Sequence, residues 1–546
     1  MTEDLLKFYV DCLIVNGYKA EIGDGKIKIN INIEQLDLIL WVCLSRFFPY
    51  EIPDVFIDEN SREILPKIPH LHSNDSICIF DKGKVVPNFN NPERLLLETV
   101  ESAIAVIRSG ITNENKHDFI DEFTEYWTPK GIVNAQMFVE ILCKVKTIYW
   151  CFKGEEIIIA ESVFRLQEIL DAMGEKKGNK KIRSGLLIPI DGQKVNEIPK
   201  TDVDIIKIIE ANSDYKKQYN SFMQNNIDKL CLLIFNLIVP EGNILAGWVH
   251  CGPGVPNGFR KGHVNLKIAF GISKEKGFAV SVVNCHQNRL FERGGDGENI
   301  VWKRVAIIGC GSVGSFLADA LKLYGTEHYV LVDNECLEYE NIARHSCGYF
   351  GVDCAKVNVI GFSLQKHNPN ITYIAYKENA HEVIEDKIES LNECDIIFLA
   401  VASIAVEHHL NKMILENKIV KPVVVLWVEP YMIGGHAIVI KKKQDLFKDI
   451  FDKNTFEYKY SIIKDGNNFL KREAGCQSTY MPYSGFILQQ FIYRVLEYIL
   501  SNCFKQKGNY MLTWCGKLSK TEKLDIELKD EYKHIEDFTL IAKRID

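Results

Sequence analysis

Several things are scarce in this 546-residue sequence, and each shortage narrows what the chain can be. Its 16 prolines and 36 glycines are too few for long disordered or low-complexity linkers. Basic residues do not exceed acidic ones: 65 Lys+Arg against 73 Asp+Glu leave a net charge of -8. That balance removes the concentrated positive footprint required for sequence-independent nucleic-acid binding. No apolar run approaches the roughly 20 residues of a membrane span. The opening MTEDLLKFYV lacks the basic and apolar regions of a secretory signal, so a cytoplasmic protein is expected, with no membrane partner. None of the 16 cysteines forms a Cys-x-x-Cys pair, so the usual spacing of a structural zinc site is missing. Without an export signal these cysteines are expected as thiols rather than as a disulfide framework.

The length exceeds the roughly 250–300 residues at which one hydrophobic core stops growing, so several domains are expected, with boundaries placed at 1–145, 146–290 and 291–546. The densest signal runs from Arg304 to Lys356. An apolar run, Val305 to Ile308, leads into Gly309-x-Gly311-x-x-Gly314, an amphipathic stretch from Phe316 to Tyr324, and a second apolar run closing on Asp333. This order predicts strand, tight turn, helix and strand. One glycine permits the turn, one lets phosphate approach the backbone, and one lets helix pack on strand. Free amides at the helix start then face an anion, and Asp333 stands where such folds place the acid that binds a ribose hydroxyl.

A nicotinamide-dependent oxidoreductase uses the same turn, as does a non-catalytic scaffold that senses nucleotide. The residues beyond Asp333 favour another chemistry. Asn341, Arg344 and Lys356 supply a polar group and two cations, for which hydride transfer has no obvious need. Adenylation of a carboxylate does need them, because departing pyrophosphate builds negative charge that cations must absorb. The series resembles the ThiF, MoeB and ubiquitin-activating superfamily. The resemblance implies a Rossmann-like adenylation domain using ATP and Mg2+, with Asp333 on ribose, Asn341 and Arg344 on phosphates, Lys356 on the triphosphate, and a homodimer. The sequence departs from the superfamily at Ala402-Ser403, where an Asp-Asn pair would bring a magnesium ligand, so the metal ligand is unknown; Asp395 sits at the wrong end of its strand to replace it. Activating enzymes also carry a cysteine in a loop after the nucleotide-binding sheet. Cys476, in a polar loop before the apolar helix Phe486 to Leu500, matches, and a helix amino terminus raises thiolate character.

Near the amino terminus, an apolar helix from Leu5 to Val15 precedes the strictly alternating Lys26 to Ile33, which predicts a small α+β unit. Then comes Ile68-Pro69-His70-Leu71-His72, with Ser76-Ile77-Cys78 shortly after. This resembles the His-Pro-Asn triplet and Gly-Ser-Ile-Cys run of ubiquitin-conjugating enzymes, with Ile68 in place of the His and His70 in place of the Asn. The resemblance implies a thioester on Cys78 and an oxyanion donor at His70; the alternative is a buried strand cysteine. The segment from His117 to Trp127 is expected to pack on this same domain. Between the two domains, strands such as Glu156 to Ala160 alternate with helices such as Ser162 to Met173, predicting an α/β linker, with a basic loop at Lys176 to Lys181 and a long turn-rich loop from Gly247 to His263. The expected fold is therefore multidomain α/β: an α+β conjugating-like domain, a linker, and a ThiF-type domain. That order resembles the fusion enzymes of bacterial CBASS anti-phage systems, which implies as partner the C-terminal tail of a cGAS-like nucleotidyltransferase or a ubiquitin-like protein.

Overall fold

The computed structural model describes residues 2–72, 74–80, 85–115, 118, 123, 127, 133–175, 180–195, 198–211, 213–240, 242–443, 450–452, 454, 458–472 and 479–545. These form two compact units, one made of 1–166 and 178–285, the other of 167–177 and 286–546. Among the described residues, no helix is long and apolar enough to cross a membrane.

The first unit opens with the helix Glu3–Val15 and a four-stranded antiparallel sheet, β1 (Lys19–Gly23), β2 (Lys26–Ile33), β3 (Leu36–Cys43) and β4 (Asp54–Ile57), in that order. Alternation in β2 sends Ile27, Ile29 and Ile33 into the core. The helix Pro92–Ile111 covers the same core with Leu96, Val100, Ala103 and Ile107, which recur at helical spacing. Its start is fixed by Pro92 in the first turn and by Asn91, whose side chain accepts from the Arg94 amide at 3.1 Å.

The linker is a closed seven-stranded barrel. Its strands are β5 (Val133–Phe138), β6 (Lys146–Lys153), β7 (Glu156–Ala160), β8 (Arg183–Asp191), β9 (Cys231–Val239), β10 (Gly242–His250) and β11 (Phe278–Asn284). They run in the order β10-β11-β5-β7-β6-β8-β9, and β9 pairs back onto β10. Alternate residues divide between two cores: Leu187, Leu232, Ile234 and Val280 join one, while Leu186, Ile188, Leu233 and Phe235 join another with the helices Asp202–Ala211 and Ser213–Asn225. The barrel begins earlier than residue 146, because β5 is one of its staves. Phe123 and Trp127, expected on the preceding domain, pack in the barrel's outer core, and Trp127 Nε1 donates to the Val280 carbonyl at 3.0 Å. The stretch from Gly247 to His250 is the end of β10 rather than the start of a loop.

A buried polar cluster joins helix to barrel. Asp202 accepts from Trp248 Nε1 (2.9 Å), His250 Nδ1 (2.6 Å) and the Gly277 amide (2.9 Å), and Tyr219 Oη lies 3.3 Å from His250 Nε2. Burial works to raise the Asp202 carboxyl, yet these donors together hold it below the usual carboxylate range; burial also lowers His250, against the pull of Asp202. The pair is thus an ionised aspartate beside a neutral imidazole.

The second unit is built on an eight-stranded sheet, with β12 (Arg304–Ile308), β13 (His328–Val332), β14 (Thr372–Tyr376), β15 (Ile396–Leu399), β16 (Val423–Val428) and β17 (Gly434–Ile440). The two-residue strands β18 (Lys471–Arg472) and β19 (Thr479–Tyr480) pair separately, and β20 (Asn509–Cys515) and β21 (Leu540–Ile545) finish the large sheet. Its order is β14-β13-β12-β15-β16-β17-β20-β21; the first five strands are parallel and the rest antiparallel. The chain leaves β12 toward β13 on one side and returns to β15 on the other. This reversal opens a crevice beyond the strand ends, where such sheets bind ligands.

Asp202→Ala leaves the buried Trp248, His250 and Gly277 N–H groups without their acceptor, and we expect the barrel to lose about 1–3 kcal/mol in urea unfolding. Because folding lowers His250 from 6.5, its contribution is complete above pH 6.5 and is lost as pH falls through the folded value. Wild-type stability that is flat between pH 7 and 5 would contradict this.

Candidate functional site

In the second unit, three glycines shape the turn after β12. Gly309 has φ of +93°, and a side chain there would meet the backbone of Ala400 at 2.7 Å, so both turn and neighbour demand glycine. A Cβ on Gly314 would fall 1.9 Å from the Gly309 carbonyl oxygen, which is how closely the helix Ser312–Tyr324 lies on its strand. Gly311 differs, because nothing lies within 4 Å of its missing side chain. Its open side faces a cleft.

That cleft, of about 270 Å³, lies at the reversal of the sheet and is lined by Gly311, Glu335, Asn341, Arg344, His345 and Lys356 on one side, and by Ala400 to Ala402 and Trp427 on another. Lys356, almost fully buried, opens the helix Lys356–His367 and places its Nζ 2.5 Å from Glu335 Oε2. Asn341 Oδ1 accepts from the Glu338 amide at 3.2 Å, which closes the short turn Tyr339–Arg344. Arg344 Nη1 donates to the Met481 carbonyl at 2.9 Å, and its guanidinium lies 5.0 Å from the Tyr483 ring. Cations and glycine turn, distant in sequence, therefore share one concavity.

Asp333 stands just outside the lining. Its Oδ2 accepts from the Cys310 amide and its Oδ1 from the Glu335 amide, both at 2.8 Å, so it clamps the glycine turn to the segment after β13. Sequence reasoning missed His345. The Cys347 amide donates to its Nδ1 at 3.0 Å, so Nε2 carries the proton and donates to the Cys310 carbonyl at 3.0 Å. Burial, then Lys356, lowers its pKa against the pull of the Cys310 carbonyl, which keeps the ring neutral. The only signal for it was its position beside Arg344. Cys310 and Cys347 are no nucleophiles: burial pushes the first thiol far up and the second to about 11.

Ala402 lines the cleft with φ of +49°, and Asp395 is tied to the far end of its strand, accepting from the Arg304 amide at 2.8 Å. Glu335 is the one acid among the cleft's described lining residues, and Lys356 already holds it. Among the described residues, no group of three or more His, Cys, Asp or Glu could hold a metal ion. Cys476 lies outside the described residues, which resume at β19.

In the first unit, residues 70–72 pair with 76–78 as a small hairpin. Leu71 bridges Ile77, and the Cys78 amide donates to the His70 carbonyl at 2.8 Å, so positions 70 and 78 stand directly opposite. A turn through His72, Asn74 and Ser76 closes it, with Ser76 Oγ donating to Asn74 Oδ1 at 2.8 Å. Cys78 is half-buried. His70 has φ of +64° and sets its Nε2 2.9 Å from Asp118 Oδ2. Ile68, where the resembling enzymes have histidine, is a core residue under the helix Pro92–Ile111: a Cβ on Gly110 would meet it at 2.5 Å.

Comparisons with known proteins agree with this division. The model of the ThiF family matches residues 287–511, and that of the prokaryotic E2 family B matches residues 18–135. The chain is 21% identical over 464 residues to the ATP-dependent ubiquitin transferase-like protein Cap2 of Pseudomonas aeruginosa (strain BWHPSA011 / Pa011), covering 80% of this chain and 79% of that protein. Solved structures similar to part of it include selenomethionine PaaA, at 16% identity and TM-score 0.28 over 44% of this chain and 64% of that one. Another is E. coli MccB with MccA-N7isoASN, at 20% identity and TM-score 0.23 over 28% and 46%. The chain thus spans less than two thirds of either solved chain. It resembles, over most of its length, a fusion of a ubiquitin-conjugating-like domain with a ThiF-type domain.

Proposed function

We propose that the chain is a cytoplasmic, ATP-dependent ubiquitin-transferase-like enzyme. It adenylates the C-terminal carboxylate of a partner protein and passes the acyl group through two cysteines to a target amine. The observation that carries this reading is the gathering of Gly311, Asn341, Arg344 and Lys356 in one cleft at the reversal of a parallel sheet.

ATP is the co-substrate, and it supplies the AMP leaving group that makes a carboxylate electrophilic. The open side of Gly311 and the amides that start the helix Ser312–Tyr324 suit a phosphate. Arg344 and Asn341 would bind phosphate oxygens, Lys356 would exchange Glu335 for the triphosphate, and Asp333 would offer its remaining lone pairs to ribose. Ala402 offers magnesium no donor, so Glu335, released when Lys356 turns to the triphosphate, would be the one described carboxylate of the lining able to hold the ion beside the phosphates. Cys476 would then attack the acyl adenylate and release AMP. Transfer to Cys78 returns the Cys476 thiol, and attack by the amine expels the Cys78 thiolate. His70, opposite Cys78 and oriented by Asp118 through Nε2–H, would donate from Nδ1 to the oxyanion at that last step when its ring carries both protons. The similarity to a ubiquitin transferase-like protein supports this order of domains. In this reading the partner is the tail of a cGAS-like nucleotidyltransferase, the setting is anti-phage defence, and two chains pair through the adenylating domain.

The two glycines separate fold from binding. Gly311→Ala should melt like wild type yet bind ATP at least about tenfold more weakly, whereas Gly314→Ala should cost about 1–3 kcal/mol of stability in thermal unfolding. Arg344→Ala and Lys356→Ala should each slow ATP–pyrophosphate exchange by roughly 10²–10³; undiminished exchange in both would sink the adenylation reading. Cys78→Ala should still accumulate a reductant-sensitive adduct on Cys476 while forming no final conjugate on gels, and normal conjugation by that variant would exclude Cys78.

A further inference from the structure

A second, larger cleft of about 640 Å³ adjoins the first in the same unit. Tyr431, Pro482, Tyr483, Ser484, Leu524 and Ser519 form part of its lining, together with Lys517, Lys520 and Lys523. The two clefts share a wall. Met481 and Tyr483 face the cleft that holds Arg344, while Pro482, Tyr483 and Ser484 face the larger one. The wall is held from both sides: Arg344 donates to the Met481 carbonyl, and the Tyr431 amide donates to the Pro482 carbonyl at 2.6 Å.

The lining chemistry is at odds with the rest of the chain. The molecule carries a net charge of -8, yet the described lining of this cleft holds three lysines and no Asp or Glu. All three lysines are exposed, and none of them forms an ion pair among the described residues. A fourth cation is close, with Lys471 Nζ 6.0 Å from the Tyr431 ring. Tyr431 and Met432 both hold positive φ, +56° and +58°, an unfavourable backbone for side chains of that size. The turn that builds this wall is therefore maintained at a conformational cost, as is common where a ligand is gripped.

We infer that this cleft receives an extended, acidic C-terminal segment of the partner protein, with its carboxylates on Lys517, Lys520 and Lys523 and its backbone or an apolar side chain against Tyr431 and Tyr483. Only a chain end bearing a carboxylate can be adenylated, and a segment lying along the shared wall presents that end to the neighbouring cleft. This rests on the adenylation reading for what the segment is for, and on the cleft's own charge for what it binds. Opposite charges at exposed positions favour selection and capture more than tightness, so the lysines should set which tail is accepted.

The test uses the full chain and two fluorescein-labelled decapeptides with free C-terminal carboxylates, one with glutamates upstream of the terminus and one with lysines there. Anisotropy should show the glutamate peptide preferred by wild type. In Lys517→Glu/Lys520→Glu/Lys523→Glu it should bind about tenfold or more weakly, while the lysine peptide binds the variant better than wild type. ATP affinity and melting temperature should not change, since the substituted side chains are exposed and outside the nucleotide cleft. Equal binding of the two peptides to wild type overturns the inference whatever the nucleotide does. So does tighter binding of a single-stranded oligonucleotide than of either peptide. Charge-selective peptide binding without any ATP binding overturns the adenylation reading instead, and leaves the cleft as an acidic-tail site.

Discussion

The contact between Gly314 and the Gly309 carbonyl is the constraint on which the second unit depends. With less than 2 Å between that oxygen and the place of a side chain, the helix Ser312–Tyr324 is seated directly on β12. Its amides then point past the strand end, and the turn between them is left with one open side, at Gly311. Everything else at the cleft is arranged around this fixed edge. Asp333 ties the turn to the chain beyond β13, His345 ties it to the segment carrying Arg344, and Ala400 closes on it from β15.

Much of this was legible because local patterns in the second unit serve a single purpose. A parallel strand is buried on both faces and reads as a short apolar run, the glycines mark the turn, and polar residues interrupt the pattern only where the chain meets solvent or ligand. The barrel was illegible for a related reason. Cys231–Val239 is buried along nearly its whole length, so its residues alternate between two apolar cores instead of between apolar and polar surroundings. The period-2 signal vanishes, and closure, which depends on the parallel pairings of β8 with β9 and of β11 with β5 between segments distant in sequence, has no local signature. Phe123 and Trp127 were misplaced in the same way: an aromatic stripe shows that a helix packs, not on which neighbour.

The conjugating-like hairpin shows how two departures from a pattern differ in weight. Ile68 is explained by packing alone, since the helix brings Gly110 against it. His70 is explained by position, since its carbonyl pairs with Cys78 and its ring with Asp118. Spacing in the sequence identified both positions, but only coordinates separate the residue that fills the core from the one that flanks the thiol.

Ala402 ends β15's loop in a left-handed conformation that costs an alanine roughly 1–2 kcal/mol and that aspartate or asparagine tolerates more readily. The backbone there has a shape better suited to a side chain it does not bear. An aspartate at this place would relieve backbone strain and bring a carboxylate to the cleft in one step.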